Sequence, residues 1–114
     1  MERSPGRASA PTSRDLITIH IEPAALSDIE GASDWYELQR PGLGTELHTS
    51  SVDRLLEQAG SNPEAYVQVY REFRRALLRR FPYAIYFILR NGTLRVQAVL
   101  HQNRSEEVIS SRLA

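Results

Sequence analysis

Residues 83–101 read YAIYFILRNGTLRVQAVLH and contain two apolar runs that meet at an Asn-Gly pair. Both central positions of a type I′ turn need a positive φ, and Asn-Gly supplies this most readily between two strands. Residues 83–90 and 94–101 therefore predict an antiparallel hairpin. Strict alternation in the second run predicts one face made of Leu94, Val96, Ala98 and Leu100, and an opposite face made of Arg95, Gln97, Val99 and His101.

Two more strands are predicted before this hairpin. Residues 16–21 alternate Ile with Thr and His, which is the period of a half-buried strand. Residues 71–81 are also predicted to be extended and contain RRALLRR at 74–80. A period of two places Arg75, Leu77 and Arg79 on one face and Arg74, Ala76, Leu78 and Arg80 on the other. Charges on both faces are typical of a strand near a sheet edge, where they oppose pairing with other sheets.

Two helices are predicted between the first strand and the basic strand. Pro23 suits the first helical position, and RPGLG at 40–44 ends this helix. A second helix runs to about Ala59, where GSNP at 60–63 stops it. The apolar stripes comprise Ala25, Ile29, Ala32 and Tyr36 in the first helix and His48, Val52, Leu55, Leu56 and Ala59 in the second. The acidic positions Asp28, Glu30, Asp34 and Glu37 are expected to form a solvated face.

The order β-α-α-β-β-β predicts an α+β fold in which a helical hairpin packs on a mainly antiparallel four-stranded sheet. Residues 15–104 form this domain, residues 1–14 are expected to be a disordered extension rich in Ser, Pro, Ala and Arg, and residues 105–114 form a tail with a short helix. The chain has no Cys, no apolar run of spanning length and no apolar signal-like segment at its N-terminus. We therefore expect a cytoplasmic protein.

The net charge of zero conceals a segregation of charge along the chain. Residues 15–64 contain ten acidic side chains against two Arg, a balance of −8, whereas residues 65–104 contain eight Arg against one Glu, a balance of +7. Every positive side chain is Arg, which suits forked contacts to carboxylate or phosphate. The two halves should attract each other, and each is a candidate docking surface.

Six short motifs occur in an order and spacing that resemble bacterial plasmid-stabilisation toxins of the RelE/ParE superfamily. They are DI at 28–29, WY at 35–36, RPGLG at 40–44, NP at 62–63, RRALLRRFPY at 74–83 and AVLH at 98–101. The resemblance covers about residues 16–104. It implies the toxin of a type II toxin–antitoxin system, held inactive by a cognate antitoxin.

The superfamily contains two competing activities, and the residues favour one of them. RelE-like members cut messenger RNA in the ribosome with basic side chains and a proton-transfer group in the C-terminal segment. On that pattern the two basic strand positions fall on Arg75 and Leu77, the next Arg falls on Ala84, and a later one falls at or next to Gln102. The tail 105–114 has no aromatic residue. Because one missing transition-state donor costs about 100- to 1000-fold, we expect no enzyme activity.

The pattern is closer to the ParE-like branch, whose members inhibit DNA gyrase by binding it. The implied partners are gyrase and a ParD-like antitoxin with a DNA-binding head and a C-terminal segment that wraps the toxin. Candidate partner-binding residues are Arg74, Arg75, Arg79, Arg80, Trp35, Arg95 and His101. No catalytic residue, cofactor or metal site is predicted, since the three His show no ligand spacing.

Other interpretations remain open at this stage. The Arg residues would equally serve as intramolecular partners of the acidic helices, His101 as a cap at the end of the sheet, and Trp35 as a partly buried packing residue. The enzymatic alternative is a ribosome-dependent mRNA endonuclease that uses Arg75, Arg79 and His101. A third reading is a binding module without toxicity.

Overall fold

The computed structural model describes residues 17–114, so the predicted extension 1–14 lies outside the described residues. Within these residues, four α-helices and five strands follow one another as β1 (Thr18–Ile21), α1 (Pro23–Gln39), α2 (Leu43–Thr45), α3 (Arg54–Ser61), β2 (Val67–Tyr70), β3 (Phe73–Leu77), β4 (Tyr83–Arg90), β5 (Thr93–His101) and α4 (Glu106–Leu113), and a 3-10 turn, Pro63–Ala65, precedes β2. A π-helical segment, Glu46–Asp53, joins α2 to α3, so residues 43–61 form one helical stretch. No helix in this part of the chain is long and apolar enough to cross a membrane.

The five strands form one sheet in the order β1-β5-β4-β3-β2. β1 runs parallel to β5, and every other neighbouring pair is antiparallel. The predicted hairpin of β4 and β5 is confirmed, with φ of 53° at Asn91 and 76° at Gly92. The α+β architecture is therefore as predicted, with one strand more than expected.

The extra strand arises because residues 71–81 do not form a single strand. Arg71 takes a left-handed φ of 52° and turns the chain, so that Tyr70 pairs with Phe73 and β2 returns along β3. β3 then ends at Leu77, and Arg79 and Arg80 follow it in a bend. The prediction that all four basic residues share one strand was therefore wrong.

The helical hairpin packs on one face of the sheet and forms the main core. The predicted stripes are confirmed at Ala25, Ile29, Ala32, Val52, Leu56 and Ala59, and Tyr36 and Leu55 pack partly buried against this core. His48 was wrongly placed in the second stripe, since the neighbouring Leu47 is the buried residue and His48 is only partly buried. The buried core residues from the hairpin are Ala25, Ile29, Ala32, Leu47, Val52, Leu56 and Ala59, and those from the sheet include Ala76, Ile85, Phe87, Leu94, Val96 and Val99. No polar side chain is fully buried among residues 17–114, so the core is held by apolar burial.

A β-bulge at Gln97 changes the face on which the later residues of β5 lie. Phe87 pairs with Val96, whereas Tyr86 pairs with Ala98, so one residue of β5 has no partner on β4. Leu94 and Val96 face the helices, but Ala98 and Leu100 lie on the opposite face. The predicted single face of Leu94, Val96, Ala98 and Leu100 was wrong because strict alternation assumes a ladder without a bulge.

The C-terminal helix α4 covers part of the opposite face and forms a second, smaller core. Its buried members are Ala84, Tyr86, Ala98, Leu100 and Leu113. Ser105 caps α4, because its hydroxyl accepts a hydrogen bond from the N–H of Val108 at 3.2 Å. The short C-terminal helix expected from the sequence is thus present and docked.

Candidate partner-binding surfaces

One edge of β5 is open beyond the end of β1. The β1 pairing stops at Ile21 opposite Val96, whereas β5 continues to His101. The Asp28 carboxylate from α1 covers part of this edge, since its Oδ2 accepts the N–H of Val99 at 3.0 Å. Arg112 of α4 donates to both Asp28 oxygens, at 3.2 Å and 2.7 Å. Asp28 therefore links α1 to both β5 and α4 at the sheet edge and is not part of a solvated face.

A cavity of about 550 Å³, here called the edge groove, lies beside this open edge. It brings together two of the sequence-predicted residues, Trp35 of α1 and His101 at the end of β5, and adds Arg104. Trp35 is 56% exposed, and its ring packs edge-on against Tyr36 at 4.9 Å between centroids. Trp35 is thus more exposed than the partial burial expected from the sequence, and its ring is accessible to a partner.

His101 has a local structural role at this groove. Its Nδ1 accepts the N–H of Asn103 at 3.1 Å, and its ring lies 5.4 Å from that of Tyr83. The imidazole therefore stabilises the turn after β5, as a capping histidine would. Burial raises the pKa of nearby Tyr36, and the neighbouring Tyr83 adds to this effect.

Three of the predicted arginines are engaged within the molecule. Arg74 donates to the carbonyl of Tyr66 at 2.6 Å, and Arg95 Nη1 lies 3.1 Å from the carboxylate of Glu22. Arg80 Nη2 lies 2.7 Å from Glu46 Oε1. Glu46 Oε1 accepts no hydrogen bond from residues 17–114, so its contact with Arg80 is an ion pair only. Such exposed pairs contribute about 0–1 kcal/mol each.

The other two, Arg75 and Arg79, have no ion pair or hydrogen bond through their side chains to residues 17–114. Arg75 lines a cavity of about 400 Å³ beside Tyr86 and α4. Arg79 lines a different cavity, of about 470 Å³, between α3 and the bend that follows β3. We call this second cavity the arginine pocket, because Arg54, Arg79 and Arg80 all line it.

Sequence reasoning did not single out Arg54 or Arg104, and it wrongly assigned Asp28 to a solvated face. Arg54 lies on the predicted second helix amid acidic residues, and only the bend after β3 brings it to Arg79. Asp28 lies on α1 but meets β5, 71 residues further along the chain. The described residues also include no group of three His, Asp or Glu placed to hold a metal ion.

Comparison with known proteins gives a structural match without a sequence match. No family model matches the chain, and neither does any curated protein sequence. Among solved structures, a chain of the chromosomal ParDE TA system from P. aeruginosa superposes with a TM-score of 0.65 at 11% sequence identity. The match covers 75% of this chain and 96% of that chain. The protein therefore shares its fold with a component of a ParDE system, as the RelE/ParE-like motifs predicted.

Proposed function

We propose that this chain is the toxin of a type II toxin–antitoxin pair and that it acts as a ParE-like inhibitor of DNA gyrase. In this proposal it binds gyrase, traps the cleaved complex and is neutralised by a cognate ParD-like antitoxin. The observation that carries the proposal is the shared fold with a chain of a ParDE system, over nearly the whole of that chain. The six sequence motifs support it independently.

Binding without cleavage is favoured by the residues at the positions where a RelE-like nuclease has basic groups. Ala84 takes one of these positions and is fully buried under α4, where no donor reaches a substrate. Leu77 takes another and is half exposed, with no group that stabilises phosphate charge. A nuclease built from Arg75, Arg79 and His101 would also need these side chains to converge, but they line three different cavities.

The antitoxin surface is proposed to comprise the edge groove and the exposed apolar side chains of α1 beside it. Trp35 is 56% exposed and Leu38 is 85% exposed, which leaves a large aromatic and a large aliphatic side chain in water on one helix. Aromatic residues of this kind commonly anchor protein interfaces, because they bury much area with little loss of conformational freedom. A wrapping segment with apolar side chains would cover them.

The experiment that tests the gyrase assignment uses the purified chain, DNA gyrase and relaxed plasmid. We expect supercoiling to fall and cleaved plasmid to accumulate as the chain is added. Prior addition of the antitoxin, sought in the neighbouring reading frame, should restore supercoiling. Gyrase that is unaffected at micromolar concentrations of the chain would contradict the proposal.

A further inference from the structure

The arginine pocket has a composition that the proposed function does not use. Seven of its lining residues carry side-chain donors, namely Ser50, Ser51, Arg54, Gln58, Tyr66, Arg79 and Arg80, and no Asp or Glu lines it. Its volume of about 470 Å³ lies within the range of small-molecule sites. The pocket therefore offers three positive charges and several neutral donors to one ligand.

The positive charge of the pocket is only partly balanced from within the molecule. Arg80 pairs with Glu46, which lies outside the pocket lining, while the Arg80 side chain remains 61% exposed. Arg54 and Arg79 contact no carboxylate among residues 17–114. Like charges held in one cavity raise the local potential and attract anions, and this attraction is strongest at low ionic strength.

The helix that forms one wall of the pocket has an unusual geometry at this point. The π-helical segment Glu46–Asp53 contains Ser50 and Ser51, and Arg54 is the first residue of α3 after it. π-Helical turns are rare and occur frequently at functional sites. Ser50, Ser51 and Arg54 lie on the same cavity wall, at the i, i+3 and i, i+4 spacings that bring residues to one helical face. The π-helical segment in this wall is an observation independent of the charge.

The rest of the lining is apolar and aromatic. Leu55, Leu78 and Tyr66 lie beside the guanidinium groups, and the Tyr66 ring is held edge-on against Phe87 at 5.8 Å. Forked guanidinium donors match the oxygens of a phosphate, whereas an apolar wall with an aromatic ring accepts a flat base. An inorganic ion alone would leave this wall uncovered.

We propose that the arginine pocket binds a nucleoside phosphate, with the phosphate on Arg54 and Arg79 and the base against Leu55 and Tyr66. The same chemistry is offered by a free nucleotide and by the phosphorylated end of a nucleic acid strand. This inference does not depend on the gyrase assignment, because it concerns a different surface from the edge groove.

The test is a titration of the full chain, followed by backbone amide NMR shifts. The probes are AMP, inorganic phosphate, a short oligonucleotide with a 5′-phosphate and the same oligonucleotide without it. Saturable shifts at residues lining the pocket are expected with AMP, with weaker binding of inorganic phosphate. If the 5′-phosphorylated strand binds more tightly than AMP, the natural source is a strand end; if AMP binds more tightly, it is a free nucleotide.

Two pocket variants and one control make the assignment specific. Arg54→Gln and Arg79→Gln should each weaken AMP binding by about tenfold to a hundredfold, the loss expected for a charged hydrogen-bonding partner. Both side chains are exposed, so the fold should persist, and thermal unfolding checks this. Arg90→Gln removes the same charge at the far end of β4, beside Glu72, and should leave AMP binding unchanged.

Three outcomes would overturn the proposal. The first is the absence of saturable shifts with every phosphate probe at millimolar concentration. The second is an equal loss of binding in Arg90→Gln, which would indicate general electrostatic attraction. The third is tighter binding of a glutamate-rich peptide than of AMP, which would assign the pocket to an acidic protein segment.

Discussion

Substitution of Asp28 tests most directly how α1 and α4 are held at the edge of the sheet. Its side chain is only 19% exposed and accepts three hydrogen bonds, one from the Val99 N–H and two from Arg112. Replacing Asp28 with Ala removes the partner of a half-buried guanidinium and leaves a strand N–H unpaired. Each of these losses costs about 1–3 kcal/mol, so we expect Asp28→Ala to lower the free energy of unfolding by about 2–6 kcal/mol in total.

Asp28→Asn separates the charge from the hydrogen bond to the strand. The amide oxygen still accepts the Val99 N–H, but the attraction to Arg112 is lost, so the expected cost is about 1–2 kcal/mol. Asp34→Asn is the matched control, because it makes the same change at an exposed position of α1 with no partner among the described residues. That variant should change stability by less than about 0.5 kcal/mol.

The assay is urea unfolding of the four proteins needed for a double-mutant cycle of Asp28→Asn with Arg112→Gln. If the ion pair holds α4 against the sheet edge, the two changes should be non-additive by about 1 kcal/mol. Hydrogen exchange should also become faster in α4 for each single variant. Strictly additive changes, or a cost for Asp28→Asn no greater than for Asp34→Asn, would refute the reasoning.

Three further predictions concern packing and the proposed interface. Gly44→Ala should destabilise the protein by about 1–3 kcal/mol, since the new Cβ would lie 2.6 Å from the Ser33 carbonyl oxygen. Gly31→Ala is the control, because a Cβ there would have no neighbouring atom within 4 Å, and it should be neutral or stabilising in thermal unfolding. Leu113→Ala should cost about 2–4 kcal/mol by leaving a cavity under α4, and unchanged urea unfolding would show that α4 does not stabilise the sheet. Antitoxin binding should shift the fluorescence emission of Trp35, the single tryptophan, to shorter wavelength. Trp35→Ala should weaken antitoxin binding about thirtyfold, or about 2 kcal/mol. Equal antitoxin affinity of the variant and the unaltered chain in calorimetry would remove the edge groove from the interface.

The sequence predicted the elements with local signals and missed those that depend on tertiary pairing. Asn91-Gly92 and the stripe of Ala25, Ile29 and Ala32 each report their own geometry within a few residues, and both are confirmed. The bulge at Gln97 leaves no mark on the alternation of β5, because it exists only in the register with β4. The turn at Arg71 was missed for a related reason, since a left-handed Arg is an uncommon turn residue.

At the candidate site, too, the sequence predicted the local features and missed those that depend on tertiary structure. The basic character of residues 74–80 was evident, but where each guanidinium lies depends on β3 ending at Leu77. Arg74 and Arg80 then turn to partners within the protein, whereas Arg79 meets Arg54 from a distant helix. Glu37 is exposed, as expected, but its carboxylate also accepts hydrogen bonds from the N–H groups of Gly42 and Gly44, both at 3.0 Å, and so caps the following helix.

We propose that this protein acts by holding another macromolecule and does not cut RNA. The most direct measurement is the integrity of defined messenger RNAs on translating ribosomes, at a concentration of the chain that stalls gyrase. The account predicts intact transcripts, and the same result with Arg75→Ala. Cuts at a fixed position within codons, abolished by Arg75→Ala, would contradict it.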